Sequence, residues 1–191
     1  MKRMLACVLA LSAWCVGAAE ISERLEVALP SDWVLAAYRG EGDIKITEWV
    51  PPGQSAEAWT EMISLQVHEA PQDLSPRPYA ERLIRNSRST LRAPSVTTTP
   101  MEWLDGVAVM DLHISGRESA ERPHLEIRAR LLRGETRLFV VQWIRQGDGP
   151  AREKTEQKHF FERVSVRKTA STLPTPESNS AGGPEGVFRA G

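Results

Sequence analysis

The chain has 191 residues, 24 of them Lys or Arg and 25 Asp or Glu, for a net charge of -1. That balance excludes the broad basic footprint of a nucleic-acid or anionic-membrane binder. Its two cysteines, Cys7 and Cys15, both fall in the leader described next, so the body of the chain holds neither a disulfide framework nor a cysteine zinc site.

The first 19 residues, MKRMLACVLALSAWCVGAA, read as an export signal. Lys2 and Arg3 give a positive start, Met4 to Val16 is apolar and uncharged, and Gly17-Ala18-Ala19 supplies small residues for cleavage. The apolar run is short of the roughly 20 residues a membrane span needs. Cys15 follows Trp14 rather than a small residue, so no lipid anchor is expected. Cleavage near Ala19 is expected to deliver the protein to the periplasm without a thiol. Losing Lys2 and Arg3 leaves 22 basic against 25 acidic residues, a net charge of -3. No second long apolar run follows, so no transmembrane segment is expected in the mature chain.

From Glu20 to Lys168 the pattern is one domain of short strands and two helices. Leu25 to Leu29 is a first strand. Trp33 to Tyr38 and Ile44 to Val50 flank the turn cluster Gly40-Glu41-Gly42-Asp43 and read as a hairpin. Pro51-Pro52-Gly53 stops the second strand, and Trp59 to His68 gives another, with Ile63, Leu65 and Val67 alternating against Met62, Ser64, Gln66 and His68. Ser75 suits an N-cap with Pro76 at the first helical position, and Tyr79, Leu83, Ile84 and Leu91 share a helix face. Val96 to Leu104 and Val107 to Ile114 form a second hairpin about Asp105-Gly106.

The clearest hairpin is the third. His124 to Arg133 alternates, with Leu125, Ile127, Ala129 and Leu131 on one face and His124, Glu126, Arg128 and Arg130 on the other. Gly134-Glu135 reads as a tight two-residue turn. Leu138 to Ile144 returns with both faces apolar, which predicts a central strand. Gly149-Pro150 opens a second helix to about Phe161, and Val164 to Val166 is expected to close the sheet. Residues 169–191, rich in Ser, Thr, Pro, Gly and Ala, bury too little to repay ordering and are expected to be a disordered tail. The fold class is α+β: a largely antiparallel sheet packed by two helices.

Two stretches add a resemblance. Glu48-Trp49-Val50-Pro51-Pro52-Gly53-Gln54 and Ala58-Trp59-Thr60-Glu61-Met62-Ile63-Ser64-Leu65-Gln66, preceded by Leu29-Pro30-Ser31-Asp32-Trp33, resemble the strand–loop–strand of small exported bacterial proteins of the DcrB-like and PsbP-like α/β/α sandwich group. The resemblance implies a twisted antiparallel sheet packed by helices, and a binding or assembly role more than catalysis. It transfers no catalytic residue. Some relatives carry cysteines in the second half, and this chain has none there.

The candidate contacts follow from these elements. Trp49 and Trp59 flank the rigid Pro51-Pro52 lip and suit either packing or stacking on a ligand. Arg82, Arg85, Arg88 and Arg92 lie opposite the helix's apolar side, as a solvated face near its C-terminus or a dock for an acidic partner. Asp111, His113, His124 and Glu126 have ligand chemistry, but cross-strand ion pairs of Glu126 with Arg128 and Arg130 account for them better than a metal. No Gly-x-Ser-x-Gly turn, paired catalytic carboxylates or phosphate loop is present. The expectation is a non-enzymatic exported protein that binds a protein or envelope component, needing no cofactor. The alternative is a small-ligand carrier or sensor with a tryptophan-lined pocket.

Overall fold

The computed structural model describes residues 20–69, 75–147 and 154–171. The leader, the Gly149-Pro150 helix start and most of the proposed tail lie outside the described residues. By its contacts the chain divides into two units, Glu23–Lys168 and the remaining terminal residues. Of the latter, only the outer ends of two strands are described.

The order is β1 (Glu20–Glu26), β2 (Val34–Glu41), β3 (Ile44–Val50), β4 (Glu61–Glu69), α1 (Pro76–Thr90), β5 (Arg92–Thr98), β6 (Glu102–Leu104), β7 (Val107–Arg117), β8 (His124–Arg133), β9 (Arg137–Gln146), α2 (Lys154–Glu162) and β10 (Ser165–Ser171). An eight-stranded sheet runs β2-β3-β4-β9-β8-β7-β5, with β6 also pairing to β7. Every pairing in it is antiparallel.

β9 sits at the middle of that order, as its doubly apolar sequence predicts. Leu138 and Val140 face one side, and Phe139, Val141 and Trp143 the other. α1 covers the first side, where Tyr79 and Ala80 meet Met110, Leu112, Ile114, Ala129 and Leu131. α2 covers the second, where Phe160 joins Trp33, Ile63, Val109, Leu132 and Trp143. Trp143 anchors this core through edge-to-face contacts with Trp33 at 5.3 Å and Phe160 at 5.1 Å. Edge-to-face geometry suits aromatic quadrupoles and adds to simple area burial.

Turn chemistry sets the registers. In the β6–β7 hairpin Asp105 has φ 51° and Gly106 has φ 74°. Two positive φ angles in a two-residue loop match the right-handed twist of the strands. Ser75 occupies the N-cap position of α1 without a side-chain cap bond, and Leu91 ends the helix in extended backbone.

Several boundaries differ from the sequence reading. The first strand lies earlier, at Glu20–Glu26, while Leu25, Val27 and Leu29 still pack on the core. Val96–Leu104 is split into β5 and β6, which pair with different stretches of β7. The β8–β9 turn is shifted by one residue: Arg133 pairs with Leu138 and Gly134 N–H donates to Arg137 O at 3.0 Å, so Glu135-Thr136 rather than Gly134-Glu135 form its tip. β10 pairs with β1 in a separate two-stranded sheet instead of closing the large one, and it continues through Thr169 to Ser171. Arg92 belongs to β5, not to the helix.

Candidate functional site

The β8–β9 turn is filled from a distant part of the chain. Glu23, 2 % exposed, inserts its carboxylate into it. That carboxylate accepts from the backbone N–H groups of Glu135 (2.6 Å), Thr136 (3.0 Å) and Arg137 (3.1 Å), and from the Thr136 hydroxyl at 2.8 Å. Burial pushes this carboxyl up, but the hydrogen bonds outweigh it and hold it below its ordinary value. Every one of those donors is spent on Glu23, so this is a structural lock.

On the α2 side of the sheet the polar face of β8 meets β7 and β9. Register places Asp111 opposite Arg130, His113 opposite Arg128, and Glu126 opposite both Ser115 and Arg145. Arg130 clasps Asp111 through two 2.8 Å bonds and also donates to the Phe161 carbonyl at the end of α2. The Asp111 bonds hold the Arg130 guanidinium above its ordinary range. Glu126 receives Arg145 at 2.6 Å, Arg128 Nε at 3.2 Å and His113 Nε2 at 3.0 Å. Burial raises the Glu126 carboxyl, but Arg145 and Arg128 more than offset it, leaving it lowered. Glu61 of β4 lies opposite Arg145, so acid and base alternate along this row. Arg130 thus pairs with Asp111, and Arg145 takes the place at Glu126 that the sequence reading gave it.

Beside this row lies a cavity of about 470 Å³. β5 contributes Thr97, the segment after it Thr99, β7 His113, β8 Arg128, and α2 Lys158 and Phe161. The volume falls within the range of small-molecule sites, and most of the lining residues are polar or charged. α2 forms one wall because Phe160 and Phe161, in edge-to-face contact at 5.1 Å, pin it to the core.

The residues singled out from the sequence lie elsewhere. Trp49 is half-buried against the α2-side core, and Trp59 is half-buried with its carbonyl accepting from Gln146. Pro51 and Pro52 open a loop tied by its own bonds, Thr60 N–H to Gln54 at 2.7 Å and Gln54 to Thr60 Oγ1 at 3.0 Å. None of these four lines the cavity, which carries no tryptophan. Arg85 and Arg88 are exposed on α1, whereas the Arg82 guanidinium sits 4.6 Å from the Tyr79 ring centroid. With Arg92 at the start of β5, the four arginines occupy two elements.

Of the four ligand-type residues, only His113 and Glu126 meet, since β7 pairs Arg117 with His124 and Asp111 is held by Arg130. Among the described residues no three His, Cys, Asp or Glu side chains gather as a metal site. His68, which the sequence reading set on the strand face opposite Ile63, Leu65 and Val67, is 4 % exposed and packs edge-on to Tyr79 at 5.2 Å. Burial, aided by the charge of Arg82, lowers its pKa, as for a neutral core imidazole.

No protein-family model matches the chain, and no curated protein does. Among solved structures it resembles the solution structure of cyanobacterial PsbP (CyanoP) from Synechocystis sp. PCC 6803, with a TM-score of 0.53 and 14% identity. The match covers 82% of this chain and 98% of that one. Together with the antiparallel sheet and its two covering helices, this gives the chain a PsbP-like α+β fold.

Proposed function

We propose that this protein is a non-enzymatic, exported binding protein that holds a small ligand in the cavity between β5, β7, β8 and α2. The observation that carries the reading is the cavity itself, about 470 Å³ beside a half-buried charged row. Binding rather than turnover is supported by the state of the nearby acids. Asp111 is clasped by Arg130 and Glu126 is shared by Arg145, Arg128 and His113, so neither is left as a general base. The export signal motivates a periplasmic location.

A macromolecular partner is the second reading. Exposed Trp103 (68 %) and Leu104 (54 %) on β6 favour it over the Trp49–Trp59 loop, whose tryptophans are half-buried.

Anilinonaphthalene sulfonate, an apolar anion that brightens in such sites, separates the two. The full chain is expected to enhance its emission saturably. Thr97→Trp, an exposed change on the cavity wall, is expected to weaken that binding at least tenfold with the circular dichroism unchanged. Equal binding by both proteins would contradict the cavity reading.

A further inference from the structure

The lining of this cavity offers donors far more than acceptors. Arg128 spends its Nε on Glu126 at 3.2 Å, and among the described residues its two Nη groups have no hydrogen-bond partner. Thr97, Thr99 and Lys158 line the same space, Lys158 as the ion-pair partner of Glu162. Thr99 Oγ1 accepts from Asp111 N–H, which leaves its own proton to give. The acceptors are already engaged: Asp111 with Arg130, and Glu162 with His159 at 3.0 Å and Lys158 at 3.8 Å. The apolar part of the wall includes Phe161 and the aliphatic stems of Arg128 and Lys158.

Resting on the cavity reading above, we propose that the ligand is an amphipathic monocarboxylate, its carboxylate bridging the two Nη groups of Arg128 and its apolar body lying along Phe161. The alternating Glu61–Arg145–Glu126–Arg128 row is balanced in charge, so the selectivity arises from directed donors and not from an excess of buried cations. End-on pairing to a planar guanidinium is geometrically selective for a carboxylate, and a partly desolvated site strengthens it.

Amide NMR titrations of the full chain with octanoate, 1-octanol, octylamine and inorganic phosphate test this. Octanoate is expected to shift Thr97, His113 and Phe161, and to bind at least tenfold more tightly than the other three. Arg128→Gln is expected to remove that preference. Arg128→Lys, which keeps the charge but not the fork, is expected to restore only part of it. Octanol binding as tightly as octanoate would overturn the carboxylate while the cavity reading stood. Phosphate matching octanoate would overturn the apolar body. No shift at the cavity amides with any probe would overturn both. Should Arg128→Gln fail to fold, Thr97→Trp, which leaves Arg128 in place, must abolish octanoate binding, and unchanged binding there overturns the proposal.

Discussion

Glu23→Ala is expected to destabilise the protein by about 4 kcal/mol, a fall in melting temperature on the order of 10 °C for a domain of this size. The carboxylate satisfies three backbone N–H groups and a hydroxyl in the β8–β9 turn, over a sequence separation of more than a hundred residues. Hydrogen bonds to a charged acceptor are the stronger kind, and buried donors left unsatisfied lose their full desolvation cost. Gly134 makes the insertion possible: a Cβ there would stand 2.1 Å from Glu23 Oε1. Gly134→Ala is therefore expected to destabilise the same joint, with no further loss once Glu23 is alanine, a coupling that a double-mutant cycle measures. The pH dependence has a definite sign. The folded-state pKa of Glu23 lies below its ordinary unfolded value, so its stabilisation is fully present above that unfolded value and is lost as pH falls through the lowered one. Thermal melts of Glu23→Gln between pH 3 and 7 should show a shallower acid slope than wild type. An unchanged slope would mean that the lock does not carry the effect.

The second large effect is at Glu126. Glu126→Gln is expected to cost about 3 kcal/mol, because Arg145 and Arg128 then lose the carboxylate they share in a half-buried setting. The figure sits at the low end for buried pairs because Glu61 still faces Arg145 from β4. The folded pKa of Glu126 is also lowered, so its contribution too is present above the unfolded value and fades as pH falls through the folded one. Urea titrations measure the loss directly. A change under 1 kcal/mol would show that the two arginines are satisfied without it.

The fold was largely legible because its signals are local. The alternation of β8 put Leu125, Ile127, Ala129 and Leu131 on one face, and they do share a face, the one that α1 covers. The apolar run of β9 placed it centrally, and Asp105-Gly106 marked a tight turn. The misassignments share a cause, which is distance along the chain. Nothing near Gly134 announces that Glu23 will fill the turn, whose tip falls at Glu135-Thr136. Nothing near Val164 shows that β10 takes β1 as its partner.

The site was less legible than the fold. Tryptophans and prolines drew the eye to Trp49 and Trp59, yet large aromatic side chains mostly fill cores, and both are half-buried. The cavity arises where β5, β7, β8 and α2 come together, four elements spread from Arg92 to Glu162. Its local signals were faint: three consecutive threonines, Thr97 to Thr99, and two arginines, Arg128 and Arg130, on one face of β8. Only the register of β7 and β8 reveals that Arg130 is consumed by Asp111 while Arg128 keeps hydrogen-bonding capacity.

One measurement tests the central claim most directly: the crystal structure of the protein with octanoate. The account predicts a single octanoate with its carboxylate on the Arg128 Nη groups and its chain along Phe161. Octanoate bound at any other surface, with the space beside Arg128 closed by the protein's own side chains, would contradict it.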